Sequence, residues 1–208
     1  MLRLASSLRL AGLLAAAFVA SSLPARAQSA AKPLFDGKTL NGWITPDDKS
    51  LFTVEDGAIV GRTKGDIKKN EFLVTEKSYK DFTLKTKVKL RNGNSGVQVR
   101  STRAADGAVS GPQADVADGY WGLLYEERGR GILKQYPPEE AAKIVKEGDW
   151  NDLAVTFKGK KITVVLNGVT VIDYEDKEFP DEGVVALQVH VGPAMEVRYK
   201  DVTIEELD

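Results

Sequence analysis

Three segments of the sequence carry polar side chains at every second residue, a spacing that places them on one face of an extended strand. The segments are residues 96–101, 112–116 and 184–191. Their polar members on that face are Gln98, Arg100, Gln113, Asp115, Gln188 and His190. Planar amide, carboxylate and guanidinium groups are good partners for sugar hydroxyls. If the strands are neighbours in one sheet, the pattern predicts a carbohydrate groove, although it fits an outer face with no ligand equally well.

Aromatic side chains close to the second segment favour the carbohydrate interpretation. Trp121 and Tyr125 offer ring faces on which a sugar can stack. We therefore expect these two residues to bind substrate together with the amides Gln98, Gln113 and Gln188. A core position for Trp121 is the alternative, since tryptophan is highly buried on average.

Each ionisable candidate has a structural alternative. His190 is the only histidine of the chain. Histidine side chains in general titrate near neutral pH, which suits proton transfer. A lone histidine on a strand is nevertheless more often a surface or packing residue. Arg100 and Asp115 can act on a substrate or simply pair with each other. Glu126 is a candidate acid, although the charged run 126–130 in which it stands also fits a solvated surface.

The composition excludes several classes of function. The 208 residues carry a formal net charge of −1, which argues against nucleic acid as a partner because such a binding face would be basic. Cysteine is absent, so thiol nucleophiles, disulfides and zinc–thiolate sites are excluded. The sequence has no G-x-S-x-G, H-E-x-x-H or phosphate-loop motif. No motif marks a cofactor, and a divalent metal ion with oxygen ligands stays open as a possibility.

The first 27 residues have the features of a secretory signal peptide. Arg3 and Arg9 give it a positive start, residues 10–19 are apolar, and residues 25–27 fit the small-residue cleavage pattern. The apolar run is too short for a membrane-spanning helix, which needs about 20 residues. We therefore expect a periplasmic or secreted protein without a membrane anchor, whose mature part, residues 28–208, is one domain.

The elements that must position the candidate residues are mostly β-strands. Residues 81–90 alternate between apolar side chains and lysines, as in a strand with one buried and one solvated face. The Asp-Gly pair at 56–57 and the Asn-Gly pair at 167–168 each separate two β-rich runs and predict hairpins. One short helix is predicted at residues 138–146, with proline at its start and glutamates in its first turn. The pattern predicts an all-β antiparallel sandwich or jelly roll.

Several segments resemble, in order and across the mature chain, the signatures of one known family. The first is LFDGKTLNGW at 34–43, whose turns alone favour a hairpin into a β domain with Trp43 in its core. The others are FTVEDGAIVG, EFLVTEKSYKDFTLKTKVKL, NSGVQVRS, GPQADV, GYWGLLYEERGRG, GDWNDLAV, LNGVTVIDYED and VVALQVHVGPAMEVRYKDVTIEEL. Together they resemble the 3-keto-disaccharide hydrolase family, in its subgroup with Q-x-D and W-G-x-L-Y motifs. Many relatives have E-x-Q in place of Q-x-D, which leaves open whether roles at those two positions carry over.

The resemblance implies a concanavalin-A-like jelly roll that acts on a small carbohydrate, a glycoside oxidised at the sugar C3. A C3 ketone acidifies the C2 proton, so a base can form an enolate, the C1 substituent can leave and water can add. The roles that follow are a base (His190 or Asp115), enolate stabilisation (Arg100), hydroxyl binding (Gln113 and Gln188) and an acid (Tyr125 or Glu126).

Two other functions fit the same residues. One is a lectin-like, non-catalytic carbohydrate-binding module, because this kind of fold serves binding as readily as catalysis. The other is an ordinary glycosidase, which needs two carboxylates about 5–9.5 Å apart, with Asp115 and Glu126 as the candidates. Substrate choice separates the three: only the first enzyme requires the 3-keto sugar, the glycosidase takes the unoxidised one, and the module binds without forming product.

Overall fold

Two antiparallel β-sheets lie face to face in the computed structural model, which describes residues 30–208. The predicted signal peptide, residues 1–27, falls outside the described residues and stays a prediction, as does the export that it implies. Within the described residues, no helix is long and apolar enough to cross a membrane.

The strands are numbered here in chain order. They are β1 (Lys32–Pro33), β2 (Trp43–Ile44), β3 (Phe52–Glu55), β4 (Ala58–Thr63), β5 (Glu71–Tyr79), β6 (Phe82–Asn92), β7 (Asn94–Arg103), β8 (Val109–Ala117), β9 (Leu123–Glu127), β10 (Gly131–Gln135), β11 (Asn151–Lys158), β12 (Lys161–Leu166), β13 (Val169–Glu175), β14 (Gly183–Val189) and β15 (Met195–Glu206). A 3₁₀ turn at Lys49–Leu51 precedes β3, and the helix α1 at Pro138–Ile144 lies between β10 and β11.

One sheet has the strand order β13-β12-β11-β6-β15-β4-β3, with β1 added along β15, and the other has the order β10-β9-β8-β7-β14-β5-β2. The hairpins predicted at the Asp-Gly and Asn-Gly turns are the pairs β3–β4 and β12–β13. In contrast, β6 pairs with β15 and β7 pairs with β14, although these strands are far apart in sequence. The all-β jelly-roll sandwich expected from the sequence is confirmed.

The core lies between the sheets and follows the alternation of the sequence. On β6 the apolar side chains are buried and the lysines between them lie on the outer face, as predicted. On β14 the inward side chains are Val185, Leu187 and Val189, so Ala186 and Gln188 point to the opposite face of that sheet. Burial of one large apolar side chain stabilises a fold by about 1.5–3 kcal/mol. Because exposing these apolar side chains to water would cost free energy, they determine which face of each strand is buried. The opposite face is the one available for a functional site.

The N-terminal segment joins the two sheets instead of forming the expected hairpin. β1 pairs with β15 in one sheet, whereas β2 pairs with β5 in the other. Asp36 shapes the crossing, because its Oδ1 accepts the backbone N–H groups of Lys38 and Thr39 at 2.8 and 2.7 Å. Trp43 is buried in the core as predicted, and its Nε1 donates to the carbonyl oxygen of Leu34 at 2.8 Å.

Two local elements differ from the sequence prediction. The helix α1 ends at Ile144, two residues early, because Val145 takes an extended conformation and the backbone N–H of Lys146 donates to Asn151 Oδ1. The hairpin β9–β10 was not predicted, since the charged run at 126–130 masks its strand pattern. This hairpin extends the seven-stranded sheet at the edge where the candidate residues lie.

Candidate functional site

The outer face of the seven-stranded sheet gathers the polar residues that the sequence places on three strands. β8, β7 and β14 are consecutive neighbours in this sheet. Gln98 lies opposite Gln113 on one side and opposite Ala186 on the other, and Gln113 lies opposite Tyr125 of β9. Directly opposed residues have Cβ atoms about 4.5–5.5 Å apart. The polar side chains of β7, β8 and β9 therefore form one groove, which is bounded on β14 by Ala186, a member of a small apolar cluster.

A cavity of about 200 Å³ opens in this groove. It is lined by Asn94, Gln113, Asp115, Tyr120, Leu123, Tyr125, Glu127, Ile132 and His190. Four of these had predicted roles: Gln113, Asp115, Tyr125 and His190. The structure brings these four together with the polar residues Asn94 and Glu127 and the aromatic Tyr120, to which the sequence analysis gave no role.

Glu127, and not Glu126, contributes to the cavity. Tyr125 and Glu127 stand two residues apart on β9 and share its groove face. Glu126 lies on the other face, where its Oε2 accepts a hydrogen bond from Arg130 Nε at 2.7 Å. That hydrogen bond lowers the pKa of Glu126, so the residue is an ionised carboxylate with no proton to donate. The spacing from Tyr125 would have identified Glu127 had β9 been recognised as a strand.

A chain of three hydrogen bonds leads along the groove to Asp115. Ser101 Oγ donates to Gln98 Oε1 at 2.6 Å, and Gln98 Nε2 donates to Gln113 Oε1 at 2.9 Å. Gln113 Nε2 donates in turn to Asp115 Oδ1 at 2.6 Å. All four side chains are buried, so each amide is oriented by the partners on both sides. The absence of a side chain at Gly96 leaves space for Gln113, because a Cβ at position 96 would lie 2.4 Å from Gln113 Cδ. We call Ser101, Gln98 and Gln113 the amide chain.

Asp115 is a carboxyl group that is largely withdrawn from water. Its side chain is 7% exposed, and burial raises its pKa to about 7. The hydrogen bond from Gln113 opposes this rise in pKa, whereas the nearby negative charge of Glu127 adds to it. Protonated and ionised Asp115 therefore coexist near neutral pH, the condition in which a carboxyl group can accept and return a proton.

Glu127 is held in place by two amides. Gln188 Nε2 donates to Glu127 Oε2 at 3.2 Å, and Asn70 Nδ2 lies 3.4 Å from both carboxylate oxygens. Gln188 thus stands behind the cavity, and its Oε1 is buried without a hydrogen-bond partner among the described residues. Asn94, which lines the cavity, also has a buried oxygen, Oδ1, without a hydrogen-bond partner among the described residues. The Asn94 oxygen is an acceptor that a water molecule or a sugar hydroxyl in the cavity could satisfy, whereas Gln188 is fully buried and lies outside the cavity lining.

His190 lines the cavity just beyond the end of β14. Its Nδ1 lies 2.5 Å from the carbonyl oxygen of Val191. Because a carbonyl oxygen only accepts hydrogen bonds, Nδ1 is the protonated nitrogen in this contact. In the neutral ring Nε2 is then an acceptor, and in the imidazolium form it is a donor.

The structure corrects the expected position of Arg100. Between Gln98 and Thr102, β7 advances one residue more than its partner β8, which is a β-bulge. Arg100 takes a φ of 44° in this bulge, and the alternation of side chains breaks there. As a result Ser101 turns toward Gln98 in the groove, and Arg100 turns toward Phe157 of the other sheet. The two-residue period fails because it assumes a strand without a bulge.

The guanidinium group of Arg100 is buried and makes its contacts within the protein scaffold. Its side chain is 1% exposed, and the carbon Cζ lies 4.1 Å from the centroid of the Phe157 ring. Its hydrogen-bond acceptors are Lys80 O, Gly159 O, Pro180 O and Asp81 Oδ1. The ion pair considered with Asp115 is replaced by one with Asp81 at 2.5 Å. Arg100 therefore fastens three connections of the sandwich and does not reach the cavity.

Trp121, which was also expected to bind sugar, is buried in the core. It lines a different cavity, of about 390 Å³, together with α1. The neighbouring Tyr120 is the exposed member of this aromatic pair. Tyr120 and Tyr125 therefore supply the aromatic surface beside Asp115.

No metal centre is evident in the described part of the chain. Asp115, Glu127 and His190 line one cavity, but within residues 30–208 no group of three or more such side chains is arranged to hold a metal ion. Among these residues, a divalent cofactor therefore has no set of three carboxylate or imidazole ligands.

Another cavity of about 200 Å³ lies on the outer face of the eight-stranded sheet. Its charged pair, Lys87 and Asp152, is about half exposed to solvent. A solvated ion pair has little capacity for proton transfer at neutral pH, since water holds both groups in their charged forms. The groove with Asp115 is therefore the better candidate site.

A family comparison agrees with the carbohydrate interpretation of the groove. Residues 30–205 match the family described as the 3-keto-alpha-glucoside-1,2-lyase-like domain. No curated protein matches the chain significantly.

Solved structures have the same fold. A protein of Parabacteroides distasonis ATCC 8503, provisionally described as a glycosyl hydrolase, is 27% identical with a TM-score of 0.64 over 86% of this chain and 94% of its own. A carbohydrate-binding module from Bacillus subtilis is 21% identical with a TM-score of 0.61 over 79% of this chain and 96% of its own. A Bacillus licheniformis β-glucanase is 12% identical with a TM-score of 0.59 over 88% and 99%. The last two establish the fold alone, whereas the family and the first protein indicate a carbohydrate-related function.

Proposed function

The chain belongs to the 3-keto-alpha-glucoside-1,2-lyase-like domain family, and we propose that it cleaves glycosides whose sugar carries a ketone at C3. The observation that carries this proposal is Asp115, a buried carboxyl group beside an open cavity, whose pKa is raised to about 7. Such a base suits the removal of a carbon-bound proton that a neighbouring ketone has acidified.

The proposed reaction is an elimination across the C1–C2 bond of the sugar. The Asp115 carboxylate takes the C2 proton, and the electron pair of the C–H bond forms an enolate with the C3 carbonyl. The C1=C2 double bond then forms, the bond from C1 to the glycosidic oxygen breaks, and this oxygen leaves with the electron pair and takes up a proton. Addition of water across the double bond completes a net hydrolysis.

The hydrogen bonds around Asp115 support its role as the base. Gln113 occupies Oδ1, and no hydrogen bond from residues 30–208 engages Oδ2, which is left to take the proton. Tyr125 and His190 are the cavity groups that can protonate the leaving oxygen, through the phenol hydroxyl and through imidazolium Nε2. The same donors, with the second amide hydrogen of Gln113, can stabilise the enolate oxygen, the role expected from the sequence for Arg100.

The test is release of a chromogenic aglycone from a 3-keto glucoside, with the unoxidised glucoside alongside. We expect release from the keto sugar alone. Asp115→Asn should lower kcat by about 10²–10⁴-fold, the usual contribution of a positioned base. Asp173→Asn is the matched control, because Asp173 lies in the other sheet in an exposed ion pair with Lys161. Wild-type turnover by Asp115→Asn would exclude Asp115 as the base.

Two other results would point to the alternative functions. The cavity holds two carboxyl groups, Asp115 and Glu127, in place of the Asp115 and Glu126 pair considered from sequence. Release from the unoxidised glucoside would therefore favour an ordinary glycosidase. Binding of both sugars without any product would favour a carbohydrate-binding module, for which the fixed amides of the groove are also suited.

A further inference from the structure

Two exposed apolar side chains flank the cavity that contains Asp115. In the described part of the chain, the large hydrophobic side chains with high exposure are Ile44 (36%), Tyr120 (48%) and Ile132 (58%). Isolated exposed apolar residues are normal on a protein surface. Here, however, Tyr120 and Ile132 line the same cavity as a buried acid. Their joint position at the mouth of that cavity indicates a ligand-binding surface.

The groove changes from polar to apolar along one row of opposed residues. Gln98 lies opposite Gln113, Gln113 opposite Tyr125, and Tyr125 opposite Ile132. Opposed side chains are in mutual reach, so the row passes from two amides to a phenol and then to an aliphatic side chain at the sheet edge. A ligand that follows this row must be polar at one end and apolar at the other.

The apolar end is built on ordered backbone. The N–H of Tyr120 donates to the carbonyl of Ala117 at 2.9 Å, and the carbonyl of Tyr120 accepts from the N–H of Leu123 at 3.0 Å. Ile132 belongs to β10, which pairs with β9. The two side chains therefore project from a turn and a strand that the sheet holds in place.

The charges of the cavity determine which ligands fit. The ionisable acids in its lining are Asp115 and Glu127, and the lining contains no lysine or arginine. An anionic group would be repelled by these acids and would find no lysine or arginine to pair with, and the remaining basic side chain of the lining is His190, whereas a neutral group would not be repelled. This charge distribution disfavours an anionic ligand, and the apolar surfaces of Tyr120 and Ile132 favour an uncharged ligand over a cation.

We propose that Tyr120 and Ile132 form a subsite for the leaving group of the glycoside, and that this subsite takes a flat, uncharged, apolar group such as an aryl aglycone. The inference rests on the proposed function: the sugar lies over Gln113 and Asp115, and the aglycone lies over Tyr125 toward Ile132 and Tyr120. An aromatic ring stacks on tyrosine and buries apolar surface against isoleucine.

The test compares 4-nitrophenyl and methyl 3-keto glucosides as substrates, with product sugar measured by chromatography. Tyr120→Ala and Ile132→Ser should each lower kcat/KM for the aryl substrate by about tenfold, mainly through KM, because the lost contact is with bound substrate. For the methyl substrate, kcat/KM should stay within about twofold of wild type. Ile44→Ser is the matched control, since Ile44 is an exposed isoleucine on β2 at the opposite edge of the same sheet. Leaving-group reactivity cancels, because each variant is compared with wild type on the same substrate.

The subsite is excluded if both substrates are affected equally or if neither is affected. It is also excluded if the variants change the oligomeric state in sedimentation, because the patch would then cover a second copy of the chain. If the wild type cleaves neither substrate, the proposed function is contradicted, but the subsite is not. Calorimetric binding of phenyl and methyl glucosides then decides the subsite: selective loss of phenyl glucoside binding in the variants supports it, and unchanged binding excludes it.

Discussion

The side-chain amide of Gln113 donates to Oδ1 of Asp115 at 2.6 Å. The side chain of Gln113 can lie there because residue 96 on the neighbouring strand is a glycine, and a Cβ at that position would collide with it. The hydrogen bond from Gln113 lowers the pKa of Asp115, yet burial outweighs it and leaves the pKa at about 7. Gln113 thus orients the carboxyl group without forcing it to stay ionised. A base that must release its proton after each turnover needs this balance, since a strongly stabilised carboxylate would be too weak a base.

Asp115→Asn should make the folded protein more stable at neutral and higher pH. The pKa of Asp115 rises from 3.8 to about 7 on folding, so stability falls as pH rises through that interval and the full cost is present above it. Asparagine carries no charge and can still accept the hydrogen bond of Gln113. We expect a gain of up to about 4 kcal/mol in unfolding free energy at pH 8, measured by urea denaturation, and no gain below about pH 4. A gain that is independent of pH would contradict the raised pKa.

Ser101→Ala should impair catalysis from a distance. The change leaves Gln98 Oε1 buried without its donor, at a cost of about 1–3 kcal/mol. Gln98 then loses its fixed orientation, and so do Gln113 and Asp115. We expect kcat to fall with little change in KM, and the pH at half-maximal kcat/KM to shift, which a loss of stability alone would not produce.

Two further variants make the Ser101 experiment decisive. Ser101→Thr retains the hydroxyl donor and should keep the wild-type pH profile if it folds. Ser78→Ala, at an exposed position of β5, removes a hydroxyl from the same row of the sheet, separated from Ser101 by Val184 and outside the amide chain, and should leave activity unchanged. An unaltered pH profile in Ser101→Ala would mean that the amide chain does not act on Asp115.

The alternation of residues predicted much of the groove because it is enforced by burial. On β8, Ala114 and Val116 belong to the core, so Gln113 and Asp115 must face outward. That argument needs only the apolar residues and a regular strand. It requires no knowledge of which strands are neighbours, although the gathering of β8, β7 and β14 into one groove depends on the observed topology.

The predicted positions of Arg100 and Glu126 were wrong because the alternation of residues gives no information at these two places. The bulge in β7 depends on pairing with β8 and β14, so no local pattern places Arg100 inward and Ser101 outward. The hairpin β9–β10 has charged residues on both faces near its turn, so Glu126 and Glu127 could not be told apart. For Arg100 the deciding interaction is with Phe157, which is distant in sequence, whereas for Glu126 it is with Arg130, only four residues away in a hairpin that was not predicted.

Arg100→Lys should destabilise the fold and leave the chemistry intact. A lysine cannot serve four acceptors with the planar geometry of a guanidinium group. Lysine keeps the positive charge, but each buried acceptor that it leaves without a donor costs about 1–3 kcal/mol, so the unfolding midpoint should fall clearly. At a temperature where the variant stays folded, kcat should be close to wild type. A large loss of kcat in the folded variant would instead restore the enolate-stabilising role expected from the sequence.

Neighbouring glutamates on β9 offer a matched pair of variants that probe the electrostatics of the cavity. The negative charge of Glu127 raises the pKa of Asp115, so Glu127→Gln should lower that pKa and move the acidic limb of the kcat/KM profile to lower pH. Glu126→Gln removes a charge one residue away, but on the opposite face, where it pairs with Arg130. It should lower stability slightly and leave the pH profile unchanged. If both variants shifted the profile equally, the effect would come from net charge, and the position of Glu127 in the cavity would have no special influence on Asp115.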